Sequence, residues 1–189
     1  MSAPVSPTPT TTEMPYLTVT PVLELSDQTT KPGAKLKFGQ QAVIPFYSRY
    51  AKGLVGISVT VDSVKAPDAD VDGLPLKDED KAKIRGKYFF FVKETLTNID
   101  GANLAGIQAP TLMATTKSGG FPGTLFSIGR EITVTGCAEH IFAPDDFAAK
   151  GAVYETCRLQ FGVPNDPIAS LMYTGKPYDT ADKSVTWRK

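Results

Sequence analysis

A chain of 189 residues with 41% hydrophobic content is long enough for one domain with a substantial core. Twenty basic residues balance twenty acidic ones, so no overall field recruits nucleic acid or an anionic membrane surface. The longest apolar runs, residues 42–47 and 88–92, are strand-sized and far below the roughly 18 residues a membrane-spanning helix needs.

Taken in order, Met1 is followed by Ser2, Ala3 and Pro4, with neither a basic segment nor an apolar run behind it. That start does not read as a secretory signal, and it fits either a cytosolic protein or a mature form carrying a starting methionine. Residues 1–33 are rich in Pro and Thr and predict a flexible tail or tether, because such a composition buries too little surface to offset the entropy of ordering. Inside it, residues 17–25 (LTVTPVLEL) form an apolar patch that Pro21 limits to an edge strand at best. The folded domain is then expected over residues 34–189.

Strand signals follow at regular intervals. Residues 35–46 hold two short candidates broken by Gly39 and ended by Pro45, and residues 53–64 (GLVGISVTVDSV) alternate cleanly. Residues 88–92 place bulky groups on both faces of one strand, so this strand must be covered on both sides and sit centrally. From Lys93 the pattern relaxes and one face is expected to meet water, and residues 98–103 (NIDGAN) supply a turn. Residues 107–116 contain Pro110 and read as an edge strand, residues 117–123 (KSGGFPG) as a loop, and residues 130–135 as another strand. Residues 144–151 (PDDFAAKG) predict two helical turns: proline first, two acids at the positive end, glycine just past the lysine. Strands at 152–163, 168–174 and 184–188 complete the chain. About eight or nine strands with one short helix predict an all-β, immunoglobulin-like antiparallel sandwich.

Cys137 and Cys157 are too few for a four-ligand zinc site and too far apart for a CxxC motif. Either they are two separate buried thiols, or they form a disulfide joining the arms of a hairpin, which is favoured and implies an oxidising compartment. Cys157 shares parity with Leu159, Phe161 and Val163, whereas Cys137 is out of step with Ile132 and Val134. A bulge at Gly136 would restore its facing.

One stretch has the spacing of a metal site. In residues 68–79 (DADVDGLPLKDE), Asp68, Asp70 and Asp72 alternate, Gly73 follows, Leu74 offers a backbone carbonyl and Glu79 falls at the twelfth position. Those are the ligand positions of a calcium loop, and calcium is the single cofactor candidate. Two features depart from an EF-hand: the preceding segment reads as strand, and Pro75 takes the usual apolar eighth position. The competing reading is a solvated acidic loop balanced by Lys77, Lys81, Lys83, Arg85 and Lys87.

Several short pieces together carry a resemblance: residues 37–39 (KFG), 59–61 (VTV), 96–98 (LTN), 130–136, 161–164 (FGVP) and 171–173 (LMY). Their order resembles the telokin-like, immunoglobulin-fold domain of secreted proteins and lipoproteins of Gram-positive bacteria, over roughly residues 35–189. The resemblance implies an envelope location behind a lipidated or cleaved N-terminus, and no common catalytic residues. The chain carries no lipidation cysteine, which fits a trimmed form.

Catalytic signals are thin. His140, the sole histidine, can be drawn with Asp145 or Asp146 as base and orienter, yet no GxSxG nucleophile accompanies it. Residues 117–123 lack the lysine placement of a phosphate loop, and Trp187 reads as core. No catalytic residue is assigned. The favoured function is a non-catalytic secreted or lipid-anchored envelope module that binds a protein or ligand. The membrane would be met only through an N-terminal anchor. A small secreted hydrolase is the alternative, and a cavity holding a shifted carboxylate beside His140 would favour it.

Overall fold

The computed structural model describes residues 22–48, 51–125 and 130–189. Among them, the strands in chain order are β1 (Lys35–Lys37), β2 (Ala42–Tyr47), β3 (Lys52–Lys65), β4 (Tyr88–Asn98), β5 (Met113–Thr116), β6 (Gly123–Thr124), β7 (Thr133–Val134), β8 (Cys137–Ala138), β9 (Val153–Gly162), β10 (Ile168–Tyr173) and β11 (Val185–Arg188). A five-stranded sheet runs β2-β3-β4-β9-β6 and a four-stranded sheet runs β1-β11-β10-β5, while β7 and β8 form a separate hairpin. The protein is all-β in character. One pairing departs from the expected antiparallel pattern: β1 lies parallel to β11.

β4 occupies the third of five places, as the run of aromatics demands. Its faces enter different cores. Phe90, Val92 and Leu96 join Ile57 and Val59 of β3, Leu171 of β10 and Trp187 of β11 in the core between the sheets. Phe89 and Phe91 point the other way, into a second cluster with Val71, Leu74, Ile84, Ile132, Val134 and Leu159. Beyond that cluster the outer face opens: Lys93 is exposed and its ammonium lies 2.8 Å from Asp62 across the β3–β4 pair.

The outer cluster is closed by elements that differ from expectation. Residues 67–85 are not an irregular loop but two short α-helices, α1 (Asp68–Gly73) and α2 (Asp78–Ile84). Pro67 and Lys77, extended at the N-caps, lead into acidic first turns, and α2 carries Lys81 and Lys83 in its last turn, in keeping with the helix dipole. The predicted helix at 144–151 shrinks to a 3-10 turn, Asp145–Ala148, which buries Phe147. Residues 107–112 stay outside any strand, with Gln108 making an isolated antiparallel bridge to Phe142, and Met113–Thr116 forms the strand, at the sheet edge as expected.

Cys137 and Cys157 are disulfide-bonded, with Cα atoms 5.3 Å apart. They do not join two arms of one hairpin. Cys137 is in β8 and Cys157 in β9, so the bond fastens the outer hairpin to the main sheet. No bulge is needed at Gly136. Val134 and Cys137 are direct partners across a two-residue turn, which places both on one face, and Gly136 takes the positive φ (86°) that such a turn requires.

Part of the predicted tail belongs to the fold. Thr30 exchanges bonds with Val43, its N–H donating to the Val43 carbonyl (2.8 Å) and its hydroxyl accepting from the Val43 N–H (2.8 Å). The Tyr178 hydroxyl donates to the Thr30 carbonyl (2.7 Å) and the Gly33 N–H to the Lys183 carbonyl (2.8 Å). Residues just before the boundary expected at residue 34 are thus hydrogen-bonded to β2 and to the connection between β10 and β11. The patch at 17–25 lies outside the described residues up to residue 21.

Candidate binding site

The calcium-loop residues do not converge. On α1, residues two apart in sequence are turned roughly 200° from one another, so alternate aspartates cannot face one ion. Asp68 and Asp72, one turn apart, both meet Arg85: its Nη1 is 3.6 Å from Asp68 Oδ1, and its Nη2 pairs with Asp72 Oδ1. Asp70 faces the hairpin, where Oδ1 accepts from the N–H (3.3 Å) and hydroxyl (3.0 Å) of Thr135. The Leu74 carbonyl accepts the Leu76 N–H (2.8 Å), and Glu79 is exposed on α2. Among the described residues no group of three or more His, Cys, Asp or Glu could hold a metal ion. These acids serve the helices that cap the outer core.

His140 is separated from its expected partners. Its Nδ1 lies 3.8 Å from Glu131 Oε2, with at least half of each side chain exposed. Asp145 and Asp146 are exposed on the 3-10 turn. The chain at His140 wraps the flank of β9: its N–H donates to the Thr156 hydroxyl (3.0 Å), and the Tyr154 hydroxyl donates to its carbonyl. A groove of about 390 Å³ runs along Thr60, Lys93, Thr95, His140 and Glu155. Glu94 also borders it, but the Glu94 side chain is fully enclosed on the inner face with Val92 and Leu96, so no shifted carboxylate opens beside His140.

The unusual chemistry lies on that inner face. β9 sets Tyr154, Thr156, Arg158 and Gln160 opposite Leu96, Glu94, Val92 and Phe90. Arg158 Nε is 2.9 Å from Glu94 Oε1 as an ion pair, and neither carboxylate oxygen of Glu94 has a well-aligned hydrogen-bond partner among the described residues. Burial pushes the Glu94 carboxyl up to about 7, against the pull of the Arg158 charge and hydrogen bond. Burial likewise raises the neighbouring Tyr154 phenol to about 12. Arg158 Nη2 reaches the other way, donating to the Ala109 carbonyl (2.7 Å) and more weakly to that of Pro110 (3.4 Å). The pair thus ties β4 and β9 to the segment that leads into β5.

Arg158 also opens onto a cleft of about 250 Å³ between β5 and β9. Leu112, Met113, Phe121, Ile132 and Leu159 supply apolar walls, and Gln160 and Glu139 supply polar ones. Gln160 is 7% exposed and its Oε1 has no partner among the described residues, whereas Glu139 Oε2 accepts the Ile132 N–H (3.0 Å). Two larger grooves meet at Phe46, of about 680 Å³ beside Tyr47 and Tyr173 and about 520 Å³ beside Pro110 and Phe142. The cleft at Arg158 combines apolar walls with a guanidinium, a carboxylate and an amide, the usual composition of a ligand site.

Neither Glu94 nor Arg158 stands out by local hydropathy. Parity finds them: Phe90, Val92, Glu94 and Leu96 make one row, and a carboxylate in an apolar row requires a cation opposite. Compared with known proteins, the chain matches no family model, no curated protein and no solved structure.

Proposed function

We propose that this protein is a non-catalytic, immunoglobulin-like binding module that works outside the cytoplasm, secreted or held at a cell envelope, and that the cleft at Arg158 is its ligand site. The observation that carries this reading is how the charges are used. Glu94 is enclosed beside Arg158, and Arg158 is engaged with Glu94 and two carbonyls, yet its side chain stays 30% exposed and lines an apolar cleft. A group anchored so firmly recognises a ligand; a general acid or base would need its carboxylate open to the substrate. Two facing sheets around one core support the immunoglobulin-like architecture, and the Cys137–Cys157 bond supports an oxidising compartment. The segments that resemble the telokin-like domain take structural roles here. The Phe38 N–H donates to the Arg188 carbonyl (3.0 Å) and the Gly39 N–H to that of Val59 (2.8 Å), while Leu171 and Tyr173 are core.

The test is a nuclear magnetic resonance screen of small organic fragments against the oxidised protein. Fragments that bind are expected to shift the resonances of Leu112, Phe121 and Leu159 together. Shifts confined to other surfaces would overturn the assignment of the site, and recovery of reduced protein from the cytosol of its native cell would overturn the location.

A further inference from the structure

We infer that the cleft selects a small monocarboxylate with an apolar body about one ring in size, its carboxylate held by the unused edge of the Arg158 guanidinium. The inference rests on the binding-module reading and names the ligand class for that same site.

An arginine carries five N–H donors in a fixed plane. Nε forms an ion pair with Glu94 at 2.9 Å, and Nη2 donates to the carbonyls of Ala109 and Pro110. Neither contact uses Nη1. The side chain is 30% exposed, so the guanidinium is held in place at its inner edge and still meets the cleft. Fixing the plane from behind removes most of the rotamer entropy a free arginine would lose on binding, leaving Nη1 as the donor for a carboxylate oxygen.

The walls set the rest of the ligand. Leu112, Ile132 and Leu159 are each at most 6% exposed, and Phe121 is 72% exposed at the rim. An apolar cavity of about 150 Å³ accommodates benzene. The about 250 Å³ here therefore suits one ring plus a carboxylate and a short connection. Glu139 lines the same cleft and opposes a second negative charge, which disfavours dicarboxylates and phosphates.

Glu94 is the internal competitor for the same guanidinium. Removing its charge without changing its shape should free attraction for the ligand. Sodium benzoate and neutral benzamide serve as probes, titrated into the oxidised protein while the resonances of Leu112, Leu159 and the Arg158 guanidinium are followed. Benzoate is expected to bind about tenfold more tightly than benzamide. Glu94→Gln should tighten benzoate severalfold and leave benzamide unchanged, and Arg158→Lys, which keeps a cation beside Glu94 but loses the Nη1 donor, should weaken benzoate about tenfold. A melting curve on each variant verifies that it is folded. Equal affinity for the two probes, with both shifting cleft resonances, would overturn carboxylate recognition while the binding site stands. Failure of both probes to shift those resonances, or shifts confined to surface lysines, would overturn the inference and the site together.

Discussion

Phe89 and Phe90 are neighbours on one strand, both essentially fully buried, yet they stabilise different parts of the molecule. Phe90 packs in a core walled by strands from both sheets, where each side chain is held by partners far away in sequence. Phe89 packs in a core whose lid is α1, α2 and the β7–β8 hairpin, pieces of two to seven residues. Helices that short do not persist alone in water, and a two-residue hairpin does no better. The inner core closes by mutual support of long strands; the outer one is closed by small parts, and a covalent bond from Cys137 to Cys157 holds them down. Equal burial therefore does not mean equal cooperativity.

Truncating the two phenylalanines breaks this comparison most directly. Phe90→Ala should cost about 3–5 kcal/mol and lower the global unfolding midpoint in urea. Phe89→Ala should cost nearer the low end of that range, because short capping elements can settle into the space. Amide exchange separates the two cases. The Phe89 variant should exchange faster at residues 68–84 and 133–138 while β10 and β11 stay protected, and uniform loss of protection in both would erase the distinction between the cores.

Removing the staple comes next. The bond closes a loop of 20 residues, and the Cys137→Ala, Cys157→Ala double variant should lose about 3 kcal/mol. The same outer elements should be the first to open. Thermal melts with and without reductant on the wild type check this, and an unchanged midpoint would mean the lid holds by packing alone.

The buried pair gives the smallest effect and a sign. Glu94 has a folded value near 7 against 4.5 ordinarily, so the folded protein retains a proton that the unfolded chain has released. Its contribution is therefore full below about pH 4.5 and is lost as pH rises to 7, on the order of 2–3 kcal/mol across that window. Asp80, Asp166 and Asp182 are shifted downward, the opposite direction, but all three are fully exposed. Urea midpoints at pH 5 and pH 8 should fall for the wild type and stay level for Glu94→Gln, which isolates the one group.

Much of the architecture was legible because strands announce themselves by alternation. The central place of β4, its two-sided burial and its wetter second half all follow from residues 88–97. What misled was local context. Glu94 sits between Lys93 and Thr95 and looks like part of a polar stretch, although its row is apolar. Residues 68–79 fit a calcium spacing, but Pro67, the acidic first turns and the trailing lysines are equally helix signals, and packing on Phe89 and Phe91 decides between them. The facing of Cys137 depended on whether Gly136 made a bulge or a turn, which pattern alone does not separate. The Arg158 cleft could not be foreseen at all, since it is assembled from β5, β9 and loops distant in sequence.

β11 lies between β1 and β10, and it carries Trp187, fully buried, with its indole N–H donating to the Gln40 carbonyl (2.8 Å). The four-stranded sheet thus has a gap at its centre until the ribosome has delivered residue 188. Until then β1 and β10 are separated strands with open edges, and the inner core lacks its largest side chain. Folding of this chain must wait on closure of a very long loop between β1 and β11, a topology that slows folding and prolongs exposure of apolar strands to chaperones.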